Sequence, residues 1–468
     1  MTQNKFTFTR IFSYFKIALT GKEQEFTSGS IRRAVFMLSV PMILEMMMES
    51  IFFLVDAYFV SSLGANAIAT VGLTESVLTL VYAIAIGLSM GVTAIVSRRI
   101  GEQDVYGASQ TAVQAIFIGI GLASLISCIG LFYPKEILVL MGATPDLVSN
   151  GYGYTQILLG GNMTIMLLFL INAIFRGAGD ASVAMRVLIL SNVLNIILDP
   201  ILIFGWGPIP SFGIQGAAIA TTIGRGSAVI FQLLILFYGW SKIKITYKDI
   251  VFRAEIILNL IKISLGGIGQ FIISTSSWVF LMRIMAEFGS EVLAGYTIAI
   301  RVLLFTLMPS WGMSNAAATL VGQNLGASKP ERAERAVWKT SKYNLWFMGS
   351  VSIFYLVFAE IIIKIFSDNP SIITYGSLCL RIIAAGYVFY AYGMVITQSF
   401  NGAGDTKTPT IINFFCFWVF QLPFAYFAAL VLQWGATGVF LAITLAEILI
   451  AAMGIIWFKK GKWKKVKV

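Results

Sequence analysis

The chain is organised as long apolar runs separated by short breaks of Gly, Pro and charged residues, from about residue 34 to residue 458. A run of ~20 apolar residues crosses a bilayer as a helix. Twelve such runs fall at 34–60, 67–97, 105–133, 150–176, 183–205, 213–240, 256–287, 292–324, 336–362, 372–400, 409–432 and 436–458. The seventh and eighth are longer than a bilayer is thick and must tilt or protrude. The runs are continuous, not short segments alternating at every second residue, so they predict helices and exclude a β-barrel. The expected fold is an all-α integral membrane protein with twelve transmembrane helices.

Composition agrees with this pattern. Of 468 residues, 58% are hydrophobic and 12% charged, about half the ~25% charge of a soluble domain. The net charge of +11 would suggest nucleic acid in a soluble protein. Here most Lys and Arg fall before the first run, after the last, or in alternate connections, including Arg98, Arg99, Arg176, Arg186, Lys242, Lys329 and Arg332. That asymmetry predicts a multi-pass protein with both termini cytoplasmic and no nucleic-acid partner. Residues 1–33 carry scattered charges and no clean apolar core, so they are read as a cytoplasmic leader, not a signal peptide. Within it, Phe8 to Leu19 suits an interfacial amphipathic helix or a partly disordered leader.

The sequence also repeats. Ser39 and Ser264, Gly64 and Gly289, Gly87 and Gly312, Ser89 and Ser314, and Gly101 and Gly326 are each 225 residues apart, as are the runs Gly177-Ala178-Gly179-Asp180 and Gly402-Ala403-Gly404-Asp405. Six spans per repeat is an even number, so both repeats enter the membrane in the same sense. They predict two lobes, 34–240 and 256–458, related by a pseudo-twofold axis along the membrane normal, with a linker at 241–255 and a basic cytoplasmic tail at 459–468. Parallel repeats of this kind mark secondary transporters, with the transport path between the lobes.

The absence of His removes an imidazole base, a His-ligated metal and a His-based pH switch. Cys128, Cys379 and Cys416 lie far apart in apolar runs and read as small buried residues without redox function. The chemistry therefore rests on carboxylates in hydrocarbon, where an ionisable residue is costly. Asp56 lies about four residues, and Asp199 about six, from the outer ends of the first and fifth runs, so their depths agree within ~3 Å. Asn195 shares a helix face with Asp199, and Asn192 extends the polar stripe one turn inward. Pro200 has no N–H and leaves the Ile196 carbonyl without its helical donor. Such an oxygen-rich pocket suits a hard cation such as Na+. Two carboxylates meeting in low dielectric cannot both stay ionised, so H+ is the other candidate.

Glu45, Glu49 and Asp56 stay within about 40° of one another on the first helix. This acidic stripe, with Met48 beside it and Glu75 on the second span, is the candidate substrate cavity, with Asn192 at its edge. Arg225, Arg283 and Arg301 are candidate counter-charges, able either to neutralise the lumen in part or to lock the helices by ion pairing. Pro41 and Pro200 mark candidate helix bends.

The chain resembles the multidrug and toxic compound extrusion (MATE) transporters, most of all their DinF-like prokaryotic branch, from about residue 30 to 458. The motifs are Pro41, Leu54-Val55-Asp56, Leu63-Gly64, Phe175-Arg176-Gly177-Ala178-Gly179-Asp180, Asn195-Ile196-Ile197-Leu198-Asp199-Pro200, Gly216-Ala217-Ala218-Ile219-Ala220-Thr221, Asn401-Gly402-Ala403-Gly404-Asp405 and Thr408-Pro409. The resemblance implies two six-helix lobes in a V and cation-coupled efflux. It also implies a cation site in the first lobe at Asp56, Asn195, Asp199 and Thr221; Thr221 enters from the resemblance alone. Positions 225 residues beyond Asp56 and Asp199 are Leu281 and Phe424, and spans seven and ten have no central acid, so coupling is expected in the first lobe only.

The function expected is a secondary active antiporter in a prokaryotic inner membrane, acting as a monomer without a cofactor. It would export lipophilic, often cationic drug-like compounds in exchange for H+ or Na+. Export of a lipid-linked or polar glycan precursor is the alternative. A membrane-embedded enzyme using Asp56 and Asp199 is disfavoured, because no Gly-rich phosphate loop or nucleophile elbow accompanies them.

Overall fold

A computed structural model describes residues 13–21 and 25–468. All twelve predicted spans are helical: α1 (Ile31–Ser61), α2 (Ala65–Gly101), α3 (Val105–Phe132), α4 (Pro145–Ala178), α5 (Ala181–Phe204), α6 (Ile214–Tyr238), α7 (Ala254–Ala286), α8 (Ser290–Gly326), α9 (Pro330–Lys364), α10 (Pro370–Ala385 with Tyr387–Gly402), α11 (Lys407–Val431) and α12 (Ala436–Lys459). The α4, α9 and α10 helices start a little before their apolar runs. Each begins on a proline at its first turn, where a missing N–H costs nothing. A short helix, Pro134–Leu140, precedes α4 and was not expected from the sequence.

The repeat has a structural counterpart. The α2 and α8 helices are both 37 residues long, begin after Gly64 and Gly289 at φ 94°, and have ends 225 residues apart. The α4 helix breaks at Gly161 and α10 at Gly386, where its two halves are bent by 56°. In α11 the backbone widens into π turns over Phe414–Gln421 and Phe427–Val431, which flank Pro423. The spacing is 222 rather than 225 for the last span of each lobe: Gly213 and Gly435, at φ 54° and 58°, open α6 and α12. Thr222 packs on Gly161 as Thr444 packs on Gly386.

Contacts across the axis are reciprocal, as a twofold requires. Gly87 meets Ile268 and Gly312 meets Ile43; Gly101 lies on the backbone of Gln323 and Gly326 on that of Arg98. The first helix of each lobe is shared: α1 packs on α5 of its own lobe and α8 of the other, and α7 on α11 and on α2. These close glycine approaches fall in the second halves of α2 and α8, near the face that carries the described terminal segments. There Thr319 Oγ1 donates to the Arg176 carbonyl at 3.1 Å and Gln323 Nε2 to the Gly177 carbonyl at 3.0 Å. The cleft between the lobes lies beyond this contact. Gly101→Val would place two methyl groups against backbone that cannot turn away, an overpacking cost of ~1–3 kcal/mol. Thermal unfolding in detergent should show matching losses for Gly101→Val and Gly326→Val, and none for Gly349→Val, which faces open space.

The same face is strapped by the terminal segments. Arg98 Nη2 donates to the Val466 carbonyl at 2.5 Å, Lys464 pairs with Glu334 at 2.6 Å, and Trp463 is buried, stacked on Phe458. The Arg332 guanidinium donates to carbonyls of Phe26, Ser28 and Gly29. The predicted interfacial stretch Phe8–Leu19 lies partly outside the described residues. Its helical part, 13–20, buries Ala18 in a cluster with Phe26, Leu38, Ala181 and Ala316, so it packs against the protein rather than floating on a lipid surface. The connection after α6 is bound to α3: Gln110 donates to Asp249, Gln114 to the Val251 carbonyl and Ser109 to the Lys244 carbonyl.

Candidate functional site

Two helices facing each other in the first lobe build the carboxylate site. Asn192, Asn195 and Asp199 are one turn apart along the buried face of α5. Gly224 lets α6 approach closely, because a side chain there would meet the Ser191 carbonyl and Asn195. That approach brings Thr221 to the asparagine. Asn195 Nδ2 lies 3.2 Å from Asp199 Oδ1 and 3.5 Å from Thr221 Oγ1. Asp199 Oδ2 and Asn195 Oδ1 are buried and accept no hydrogen bond among the described residues. A buried oxygen without a donor costs free energy, so the pocket has the acceptor surplus that H+ or Na+ would satisfy.

Asp56, on α1, is half-buried and near enough for its charge to act on Asp199. Among the described residues it makes no hydrogen bond or ion pair; its charged neighbours are Glu75 and Arg225. Of the four residues of the expected cation site, hydrogen bonding joins Asn195, Asp199 and Thr221, and Asp56 lies outside that trio. Among the described residues no three His, Cys, Asp or Glu side chains are arranged to hold a metal, so a sodium ion here would rely on one or two carboxylates with amide and hydroxyl oxygens.

A cavity of about 280 Å³ lies between the lobes. Glu49, Met46, Tyr82 and Arg176 face it from the first lobe, and Trp311 and Gln398 from the second. Of the expected cavity residues only Glu49 lines it. Glu45 is turned to Arg176, with 2.6 Å between Oε1 and Nη1. Asn192 is engaged by the Met48 carbonyl at 2.6 Å, which fixes both residues at the α1–α5 contact. Glu75 is exposed on α2, with Arg301 as its charged neighbour. The acidic stripe therefore does not face one lumen: Glu45 turns to Arg176, Glu49 faces the cavity beside Arg225, and Asp56 pairs with neither arginine. Asp56 and Asp199 are not among the residues that line this cavity.

The arginines sort differently from expectation. Arg225 is buried, donates to Tyr82 Oη at 3.0 Å, lies 4.0 Å from Glu49 and sits 4.6 Å from the Phe52 ring centroid. It joins the carboxylate site to the cavity wall. Arg283 is on the surface, 3.9 Å from Glu287. Arg176 is not one of the basic residues of a loop: it is buried at the end of α4 and lines the cavity. Of the cysteines, Cys379 and Cys416 are buried as expected and Cys128 is exposed.

The second lobe departs from the first at the matching positions. Where the first has Asn195 and Asp199, the second stacks Phe420 on Phe424 with centroids 5.5 Å apart. Where the first has Arg225, the second, at the 222 spacing, has Glu447. Glu447 was missed in the sequence because it lies in neither the seventh nor the tenth span. An acid within a 24-residue apolar helix was the available signal.

Two six-helix lobes about a pseudo-twofold, an interlobal cavity and charged side chains within the spans define a multi-pass membrane transporter. The chain belongs to the MatE family, whose model matches residues 41–201 and 268–427. It is similar to the probable multidrug resistance protein NorM of Thermotoga maritima, with 27% identity over 93% of this chain and 94% of the relative. A FAD transporter of Shewanella oneidensis is 26% identical over 92% and 94%. Among solved structures, an outward-facing multidrug resistance MATE transporter of the MOP superfamily matches with TM-score 0.88 and 28% identity, over 95% of this chain and 99% of that one. These relatives are named as transporters or multidrug resistance proteins, not as enzymes.

Proposed function

We propose that the protein is a secondary active antiporter that exports lipophilic, often cationic compounds in exchange for H+ or Na+ entering at Asp56, Asn195, Asp199 and Thr221. The observation that carries this reading is the pair of undonated buried oxygens, Asp199 Oδ2 and Asn195 Oδ1, beside Thr221. A mobile cation supplies what those oxygens lack and is released when the site rearranges. The membrane potential adds ~2.3 kcal/mol per charge per 100 mV to its inward movement.

The shared packing of α1 gives the coupling a physical route. This helix carries Asp56 to the α5–α6 site, Glu49 to the cavity, and Ile43 to Gly312 of the other lobe. A cation that draws Asp56 toward Asp199 displaces α1 against α5, and α1 is also one of the surfaces on which the lobes meet. Pro41 removes one backbone hydrogen bond from that helix, which makes the turn before Glu45 easy to deform.

The cavity lining is mostly aromatic, thioether and aliphatic, with Glu49 held by Arg225 and Arg176 by Glu45. That suits lipophilic molecules better than a polar glycan precursor, which needs many fixed donors and acceptors. Efflux from proteoliposomes under imposed sodium and pH gradients, applied separately, tests the assignment. One gradient should drive substrate out against its concentration; transport that only relaxes to equilibrium under both would refute antiport.

A further inference from the structure

The interlobal cavity has a branch into the second lobe of about 220 Å³, reached past Met90, Phe271, Trp311, Gln398 and Asn401, which line both spaces. Glu447 of α12 lies in it and is its one charged lining residue among those described. The amides around it satisfy one another: Gln270 Nε2 donates to Asn401 Oδ1 at 3.0 Å, and Asn401 Nδ2 donates to Gln398 Oε1 at 3.0 Å and to Gln270 Oε1 at 3.2 Å. None of them is spent on Glu447, which has no hydrogen bond or ion pair among the described residues. The matching position of the first lobe is filled by Arg225, whose charge is met by Glu49 and Tyr82. Thus the pseudo-twofold places a paired cation in one lobe and an unpaired anion in the other.

An intramembrane carboxylate facing a cavity without a protein counter-charge is a binding group for something that arrives. The walls say what kind. Trp311, Phe271 and Phe417 offer ring faces, and Met90 and Met394 polarisable sulfur. These groups stabilise a diffuse organic cation without the oxygen cage a bare metal ion requires. The volume admits a fragment of a drug-sized molecule, not the whole.

We propose that the Glu447 branch is a separate subsite that takes the positively charged head of an organic cation while its apolar body occupies the central cavity. This rests on the reading of the protein as an exporter of lipophilic compounds. It makes Glu447 a specificity determinant distinct from the coupling site at Asp56 and Asp199.

The test is equilibrium binding of tetraphenylphosphonium, a cation whose charge no pH change removes, to the purified full-length protein in detergent. Glu447→Gln, which keeps shape and loses charge, should weaken binding about tenfold or more. Glu447→Asp should restore most of it, and Glu360→Gln, at an exposed acid paired with Lys364, should leave it within about threefold. Equal affinity in wild type and Glu447→Gln overturns the subsite, as does failure of the wild type to bind the probe. Binding is read without any gradient. Loss of gradient-driven efflux with intact, Glu447-dependent binding would therefore count against antiport alone.

Discussion

Asp199→Asn is expected to abolish gradient-driven efflux while leaving the protein folded. The substitution keeps the volume of the side chain and an oxygen for the Asn195 amide, now 3.2 Å from Asp199 Oδ1, but removes the charge that a cation or proton neutralises. Truncating the charge of a buried, hydrogen-bonded pair costs ~2–5 kcal/mol, so ion binding should weaken by roughly a hundredfold and coupled transport should fall to background. Asp56→Asn should act in the same direction. The control is Glu360→Gln, which removes an exposed surface acid paired with Lys364 and should change nothing. The measurement is substrate efflux from proteoliposomes carrying each variant, under sodium and under pH gradients. Full activity of Asp199→Asn in both would place coupling elsewhere, with Glu447 as the next acid to examine.

The fold was legible because the bilayer makes its demands in the simplest terms a sequence can carry, length and apolarity. The constant spacing from Ser39–Ser264 to Asp180–Asp405 disclosed the repeat before any helix was placed. Gly101 and Gly326 owe their recurrence to the axis, where each helix passes over the other's backbone. The carboxylate site was legible in part for the same reason: Asn195 and Asp199 are four apart on one helix, a local relation. That Thr221 lies beside them is a fact of how α6 crosses α5, set by Gly224, and the residues alone did not contain it. The direction in which each acid of α1 points was also beyond reach. Glu45, Glu49 and Asp56 share a helix stripe, yet Glu45 pairs with Arg176 of α4, Glu49 with Arg225 of α6, and Asp56 with neither. Arg176 was misplaced by the charge rule because a basic residue one turn from a loop looks the same in sequence whether it turns to water or inward. Glu447 was hidden by the three-residue shift in the repeat, which put Thr222, not Arg225, opposite it at the spacing that served everywhere else.

Glu45 and Arg176 are the place where the protein's stability is most exposed to one substitution. Oε1 of the carboxylate and Nη1 of the guanidinium are 2.6 Å apart, the side chains being 1% and 10% exposed. The pair ties α1 to the end of α4, whose next carbonyls accept hydrogen bonds from Thr319 and Gln323 of α8. Removing one partner leaves the other charge in low dielectric with nothing to meet it, which costs ~3–5 kcal/mol. Glu45→Ala is therefore expected to lower the melting temperature in detergent sharply, more than any single change in the Asp199 pocket. Replacing both partners by apolar residues of like size, Glu45→Leu with Arg176→Met, should recover much of the loss, because the desolvation penalty disappears with the charges. A double-mutant cycle reads this directly: strong coupling is expected, and losses that simply add would mean the two side chains are stabilised by something other than each other. The double variant separates two roles as well. If it regains stability but not efflux, the ion pair is retained for what Arg176 does at the cavity wall rather than for holding α1 in place.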